Sequence, residues 1–297
     1  MATVKLIDPL PAAARGHTLP ELGEYSQLDL YYEAELRLHW CRLHPKPQPC
    51  FNPTILAELN RLHAALKDLN GEGASPDAPV RFQVLASSLP GVFNLGGDLR
   101  LFKRLIEAGD RATLRRYAYA CIEAIHHSVT LHHHGITQIA LVQGDALGGG
   151  FEGALSAQVL IAERSSKLGL PEVLFNLFPG MGAYSLLSRR IGPAAAERMI
   201  LSGRLYGAEE LYEMGVVDVL AEDGQGELAV YDYVQKENRN RNAIQALRRV
   251  RDRCQPVTWE ELRDIVEIWV EAALKLTDRD LRMMERLVGR QSRAKAG

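Results

Sequence analysis

Two glutamates in apolar surroundings are the first candidates for chemistry in this sequence. Glu152 follows three glycines and a phenylalanine, and Glu172 lies in the segment Leu-Pro-Glu-Val-Leu-Phe, twenty residues further on. Burial without a cationic neighbour raises the pKa of a carboxyl group towards neutrality, where it can act as a general acid or base. Taken singly, each glutamate is also compatible with a plain helix-capping role. The pair is therefore a hypothesis of acid-base catalysis.

Two glycine-rich turns accompany the glutamates, and each connects a predicted strand to a predicted helix. They are residues 94–98 (Asn-Leu-Gly-Gly-Asp) and residues 147–150 (Leu-Gly-Gly-Gly). A helix start leaves backbone N–H groups without partners, and such groups bind negatively charged oxygen. Neither turn fits the phosphate-binding patterns GxxxxGK[ST] or GxGxxG. Two N–H donors aimed at one point would instead form an oxyanion hole.

The elements that must position these residues alternate between strand and helix. Apolar stretches at 81–86, 138–142 and 159–162 are typical of buried strands. A helical stripe at 55–69 follows the start signal Asn52-Pro53, and Asp98 is expected to cap the helix that begins near Leu99. This alternation predicts an α/β fold with largely parallel strands.

The chain divides into three predicted regions. Residues 1–25 lack a sustained period and are expected to form a poorly ordered arm, and residues 26–224 are expected to form the catalytic core. In residues 225–297 the strand signal is lost, and three charged amphipathic helices are predicted. The middle one starts near Thr258, with Glu261 three residues later as in a capping box.

Composition excludes several classes of function. The 35 Lys and Arg residues against 37 Asp and Glu residues give a net charge of −2, so no global field attracts nucleic acid or anionic membranes. The four cysteines form no CxxC pair, which favours a reducing compartment and argues against a structural zinc site. We find no signal peptide and no apolar run of about 18 residues, so we expect a cytoplasmic protein without a membrane span.

A cluster of histidines and a cluster of basic residues are weaker candidates for functional sites. The histidines at 126, 127 and 132–134 share only part of a helix face and are joined by no set of cysteines or carboxylates with ligand spacing, so a solvated or core patch is favoured over a metal site. Seven Lys or Arg residues against two acidic ones in 236–253 favour a solvated helix face, with an acidic protein partner as the alternative. No aromatic or groove-reading pattern there indicates nucleic-acid binding.

Four motifs in one order resemble the crotonase (enoyl-CoA hydratase/isomerase) superfamily, over roughly residues 27–220. Within that superfamily the motifs, together with residues 267–270 and 286–293, closely resemble the synthases of diffusible signal factor. The motifs are residues 92–99 (Val-Phe-Asn-Leu-Gly-Gly-Asp-Leu), 140–152 (Ala-Leu-Val-Gln-Gly-Asp-Ala-Leu-Gly-Gly-Gly-Phe-Glu), 170–175 (Leu-Pro-Glu-Val-Leu-Phe) and 177–185 (Leu-Phe-Pro-Gly-Met-Gly-Ala-Tyr-Ser).

The resemblance implies a fold and a set of site residues. It implies a spiral core of ββα repeats, and a helical C-terminal region that covers the active site and supports a trimer-based homo-oligomer. It assigns catalysis to Glu152 and Glu172, and the two oxyanion donors to the backbone N–H groups of Leu95 and Gly149. The roles within the pair stay open, with Glu172 favoured at Cα and Glu152 at the hydroxyl. No metal and no cofactor are implied.

The resemblance also implies a reaction. The substrate would be a 3-hydroxyacyl thioester on acyl carrier protein, and dehydration followed by thioester hydrolysis would release a cis-2-unsaturated fatty acid, a quorum-sensing signal. Cations at Arg100, Lys103 and Arg104 fall on one helix face and are candidates for docking the carrier. A regulatory sensor protein is a further expected partner. The alternatives are an enoyl-CoA hydratase or isomerase of fatty acid metabolism with a CoA thioester substrate, and a non-catalytic regulatory protein with the same fold.

Overall fold

Strands and helices alternate through the first three quarters of the chain, and helices follow. The computed structural model describes residues 18–293 apart from positions 74 and 76, so residues 1–17 of the predicted arm lie outside the described residues. The strands are β1 (Leu28–Glu33), β2 (Leu38–Leu43), β3 (Phe82–Ser87), β4 (Gly91–Asn94), β5 (Thr137–Val142), β6 (Gly144–Leu147), β7 (Val159–Glu163), β8 (Lys167–Gly169), β9 (Leu205–Gly207) and β10 (Val219–Ala221).

The α-helices vary from one and a half to more than five turns. They are α1 (Pro53–Asn70), α2 (Leu99–Glu107), α3 (Arg111–Thr130), α4 (Gly149–Leu155), α5 (Ala183–Ile191), α6 (Pro193–Ser202), α7 (Ala208–Glu213), α8 (Gly226–Arg239), α9 (Arg241–Cys254), α10 (Trp259–Ala273) and α11 (Asp278–Arg293). Short 3₁₀ helices occupy Pro20–Leu22, Leu131–His134 and Pro171–Phe175.

The strands form two sheets, and successive strands of each repeat enter different sheets. The larger sheet has the order β1-β2-β3-β5-β7-β10 and the smaller has β4-β6-β8-β9. All neighbours are parallel except the pairs β1-β2 and β8-β9. The repeating unit consists of a strand in the large sheet, a strand in the small sheet and a helix. It occurs as β3-β4-α2 and again as β5-β6-α4. The predicted α/β class is confirmed.

Both faces of the large sheet are buried, as parallel sheets require. On β2, Cys41 and Leu43 face the core under α1 and α3, whereas Leu38 and Trp40 face a second core covered by α8. Side chains alternate between faces along a strand, so each strand supplies both cores. The first of these cores also contains the cavity described below.

The terminal regions differ from the prediction. Leu22 is 3% exposed and packs into the core, so the expected unstructured arm does not include residues 18–25. The first of the three predicted C-terminal helices is two helices, because the chain leaves the helical conformation at Asn240. Glu237 on α8 and Arg248 on α9 then form a buried ion pair, with side chains 0% and 6% exposed, so the basic segment is not wholly solvated.

Other local predictions agree with the structure. The side chains of Asn52, Asp98 and Thr258 accept hydrogen bonds from the first turns of α1, α2 and α10. The division into a core of 26–224 and a helical region of 225–297 stays a prediction. Among the described residues, no helix combines the length and the apolar character needed to cross a membrane.

Candidate active site

The two glycine-rich turns lie against each other because the strands that precede them are neighbours. β4 pairs with β6 in parallel, so both chains turn at the same edge of the small sheet. A Cβ atom on Gly96 would lie 2.9 Å from the carbonyl oxygen of Leu147 and 3.1 Å from the nitrogen of Gly149. A Cβ atom on Gly150 would lie 2.0 Å from the carbonyl oxygen of Asn94. Only glycine permits this approach.

The structure corrects the prediction that Leu95 supplies an oxyanion donor. The N–H of Leu95 donates to the carbonyl oxygen of Pro49 at 2.8 Å, so it is already bonded. The N–H of Gly97 lies beside Gly149 instead, since a Cβ atom on Gly149 would be 3.4 Å from the Gly97 nitrogen. In the described part of the chain, neither Gly97 nor Gly149 has an acceptor for its N–H, and both line the cavity that contains the glutamates.

Glu152 lies on α4 one turn after the second glycine turn, and its side chain is held by backbone donors. The residue is 2% exposed. Its Oε1 atom accepts hydrogen bonds from the N–H groups of Met181, at 2.8 Å, and Ala183, at 3.0 Å, at the start of α5. Burial raises the pKa of Glu152, and the two N–H donors counteract part of that rise because they stabilise the carboxylate.

Glu172 lies at the second position of the 3₁₀ helix Pro171–Phe175, and it faces the second glycine turn. A Cβ atom on Gly148 would lie 2.5 Å from its Oε1 atom. The Oε2 atom is buried and has no hydrogen-bond partner among the described residues. Burial raises the pKa of Glu172, and the negative charge of Glu152 raises it further.

The two carboxyl groups therefore titrate as a pair. Because like charges in one buried site cannot both ionise cheaply, the pair holds one proton near neutral pH. The donors from Met181 and Ala183 favour the charge on Glu152, so the proton rests on Glu172. One carboxylate and one carboxylic acid beside two free N–H donors can remove one proton, deliver another and stabilise an oxyanion.

Comparison with known proteins identifies the family. Residues 43–260 match the family described as Enoyl-CoA hydratase/isomerase. The chain belongs to this family. The predicted membership of the crotonase superfamily is confirmed. A probable mitochondrial enoyl-CoA hydratase 2 of Arabidopsis thaliana is 30% identical over 169 residues, 56% of this chain and 53% of the relative. The crotonyl-CoA hydratase of Syntrophomonas wolfei is 28% identical over 65% of this chain and 68% of its own.

Solved structures agree with the fold. DspI of Pseudomonas aeruginosa is 26% identical, with a TM-score of 0.66 over 82% of this chain and 90% of its own. The human mitochondrial delta3-delta2-enoyl-CoA isomerase, at 20% identity, has a TM-score of 0.73 over 91% of this chain and 100% of its own. The chain spans about half of the length of the Arabidopsis relative.

In this family member, the cavity beside the glutamates is walled mainly by apolar side chains from both ends of the chain. Trp269 of α10 packs edge-on against Phe102 of α2, with ring centroids 5.2 Å apart. A Cβ atom on Gly180 would lie 2.4 Å from the Trp269 ring. Helix α10 thus closes one wall of the cavity. Other apolar lining residues are Phe51, Leu56, Leu59, Tyr117, Ile125 and Phe175.

In the folded protein, the carboxylate of a residue distant in sequence lies against the histidine-rich segment. Asp252 of α9 lies against His132 and His133, and its Oδ2 atom is 2.8 Å from the Nε2 atom of His133. One ligand atom from each of the three residues lies within 4.8 Å of the others, a set that can hold a metal ion. Arg248 and Arg251 line the same groove and oppose a cation. The preference against a metal site stays a prediction.

The raised pKa of Glu172 predicts a pH dependence of stability. The folded protein keeps a proton that the unfolded chain loses near the ordinary glutamate pKa, about 4.3. The folded state therefore binds more protons, and the free energy of unfolding falls as pH rises from that value through the raised pKa. Because Glu172→Gln removes this titration, we expect its stability relative to the parent to increase with pH. Urea unfolding at mildly acidic and at alkaline pH measures this change. The exposed Glu213→Gln should show a constant difference, and a constant difference for Glu172→Gln would contradict the raised pKa.

Proposed function

We propose that this protein dehydrates a 3-hydroxyacyl thioester to a 2-unsaturated one. The observation that supports the proposal most is the placement of Glu152 and Glu172 beside the N–H groups of Gly97 and Gly149, in one apolar cavity. The two N–H groups would bind the thioester oxygen, which gains negative charge when the α-proton leaves. The apolar walls suit the acyl chain.

The proton transfers balance within the pair. Ionised Glu172 takes the α-proton, and the electron pair moves onto the thioester oxygen. The electrons then return to form the double bond between Cα and Cβ, and the hydroxyl leaves as water with the proton that Glu152 supplies. This leaves Glu152 ionised and Glu172 protonated, which is the distribution that the hydrogen bonds of the free protein favour. Before the next dehydration, Glu172 must release its proton and Glu152 must regain one, by exchange with water. Hydration of a 2-unsaturated thioester is the same sequence in reverse.

The finer proposal is a synthase of a cis-2-unsaturated fatty acid signal in the cytoplasm. It adds hydrolysis of the thioester. Water gives a proton to an ionised glutamate and attacks the carbonyl carbon, and the same N–H pair stabilises the tetrahedral oxyanion. The C–S bond then breaks, and the thiolate leaves with that proton as a thiol. It is supported by the four motifs that resemble the synthases of diffusible signal factor. A trimer-based assembly and a regulatory sensor protein belong to the same proposal.

Mass spectrometry of a defined reaction tests the proposal. Purified protein is incubated with a 3-hydroxyacyl group on acyl carrier protein and, separately, on CoA. A free 2-unsaturated acid from the carrier substrate supports the synthase. The alternative, an enoyl-CoA hydratase or isomerase, is favoured by the family and by relatives such as crotonyl-CoA hydratase. This alternative predicts that the 3-hydroxyacyl and 2-unsaturated CoA thioesters are interconverted without release of free acid. If the protein turns over neither substrate, the remaining hypothesis is the non-catalytic regulatory protein.

The cations on α2 are the predicted docking site for acyl carrier protein, and this prediction can be tested by substitution. Lys103 pairs with Glu107 and Glu285, so part of the predicted cationic face is neutralised. Arg100 and Arg104 are exposed on the same face of α2. We expect Arg100→Glu with Arg104→Glu to raise KM for acyl carrier protein severalfold and to weaken its salt dependence, because carrier proteins are acidic.

Two substrates and a control variant separate docking from catalysis. Turnover of a short pantetheine thioester, which makes no protein contact, should be nearly unchanged in the α2 variant. The exposed Arg198→Glu on α6 should affect neither substrate. Equal losses on both substrates would mean that the α2 cations support the fold or the acyl site.

A further inference from the structure

Three buried polar side chains form a row across the large sheet. His39 on β2 is the register partner of Gln83 on β3, and Gln83 is the register partner of Gln138 on β5. The three residues are 1%, 0% and 0% exposed. They share a sheet face with Cys41 and apolar residues of the first core, because side chains two positions apart point the same way. The row thus interrupts an apolar surface.

His63 of α1 covers this row. It is 2% exposed, and burial together with the nearby His127, Lys67 and His39 lowers its pKa to about 3. The imidazole is therefore neutral, with one donor and one acceptor nitrogen. Among the described residues, neither nitrogen of His63 and neither amide atom of the Gln138 side chain has a hydrogen-bond partner.

His63 and Gln138 both line the cavity of the catalytic glutamates. The His63 ring lies near the last turn of α3, with its centroid 6.2 Å from that of His127. Tyr117 of α3 marks the near end, because its hydroxyl accepts a hydrogen bond from the N–H of Asp98 at the first glycine turn. The cavity-lining stripe of α3 runs from there to Ser128, about 16 Å along the helix. The N–H of Gln138 donates to Gln158, whose amide donates to the carbonyl oxygen of Ser128.

The chemistry at this end is specific. A methyl-terminated chain that reached His63 and Gln138 would leave two donors and two acceptors buried and unpaired, which is unfavourable. An ionised tail would be buried against neutral partners, which costs more. A hydroxyl group is uncharged and both donates and accepts hydrogen bonds, and a carbonyl group is uncharged and accepts them from the Gln138 amide and from the imidazole N–H.

We propose that the acyl chain of the substrate carries an uncharged hydrogen-bonding group, a hydroxyl or a carbonyl, at its distal end, and that His63 and Gln138 bind it. This proposal takes from the proposed function only that the substrate is an acyl thioester. His63 and Gln138 are then specificity residues, remote from the reacting carbons. Leu59 and Leu85, which also line the cavity, pack against the methylene chain.

A matched pair of substrates tests the proposal. Two 3-hydroxyacyl thioesters of equal length end in a methyl or in a hydroxyl group, and kcat/KM is measured for each. We expect the parent to prefer the hydroxyl-tailed substrate by about tenfold or more, since a site built for a hydrogen bond rejects the analogue that lacks it. Gln138→Leu should remove or invert the preference. Gln83→Leu, the same change on the neighbouring strand outside the cavity lining, should retain it.

A second variant and a binding measurement complete the test. If Gln138→Leu fails to fold, His63→Leu tests the other proposed partner of the tail, on α1. Calorimetric binding of unreactive pantetheine thioethers with the same two tails separates this proposal from the reaction. Tighter binding of the hydroxyl tail without any turnover would support the tail site and contradict the proposed reaction. Equal affinity and equal kcat/KM for both tails, unchanged in Gln138→Leu and His63→Leu, would overturn the tail site and leave ordered water as the partner of these groups.

Discussion

Glu152→Gln and Glu172→Gln should each lower kcat by about 10²- to 10⁴-fold, the range that general acid-base catalysis contributes. Both carboxyl groups are needed, because one must be ionised while the other carries the proton. A glutamine at 152 still offers an amide oxygen to the N–H groups of Met181 and Ala183, so the fold should be retained. Steady-state kinetics on the thioester that the protein turns over measures the loss.

The control is Glu213→Gln, the same change at an exposed position outside the candidate active site. It should keep the kcat of the parent. The pH dependence of kcat in the parent should show two limbs, since deprotonation of the acid and protonation of the base each stop the reaction. A Glu152 or Glu172 variant with normal folding and parental kcat would remove that residue from the mechanism.

Gly149→Pro should reduce kcat by about 10²- to 10³-fold, the usual cost of one lost oxyanion donor. Proline deletes the N–H that is directed into the cavity. Gly149 is the first residue of α4, a position where proline fits a helix because its N–H has no helical acceptor. The loss should therefore appear in kcat far more than in the unfolding midpoint.

Gly149→Ala is the matched control, because it keeps the N–H. A Cβ atom there would meet its nearest neighbour, the nitrogen of Gly97, at 3.4 Å, an ordinary contact distance. We expect this variant to keep most of the activity. A Gly149→Pro variant that folds and turns over like Gly149→Ala would exclude this N–H as an oxyanion donor.

Local sequence signals were sufficient for the fold class and for the two glutamates. Asn52, Asp98 and Thr258 each cap the helix that follows them, because a short polar side chain satisfies the first N–H groups of its own neighbours. The glycine turns also stand out in the sequence, although the contact that requires glycine at positions 96 and 150 joins two turns far apart in the chain. Interactions within a few residues leave a pattern in the sequence.

Which backbone donors are free depends on pairing that is not local. The N–H of Leu95 is taken by Pro49, forty-six positions earlier, and that pairing leaves Gly97 as the neighbour of Gly149. Helical spacing predicts Glu107 as a partner of Lys103, but it does not predict the second partner, Glu285 of the C-terminal helix α11, at 3.3 Å. Neither Pro49 nor Glu285 is near its partner in sequence, and no spacing rule connects them.

The sequence by itself indicated an α/β fold through local patterns and capping, and it marked Glu152, Glu172 and the two glycine turns as candidates for a site. Only the tertiary structure decided that His39, Gln83 and Gln138 stand side by side. Each lies in a strand that is otherwise mainly apolar, and strand register alone aligns them. Register depends on the packing of whole faces against α1 and α3, so it is a property of the assembled core and of no single segment.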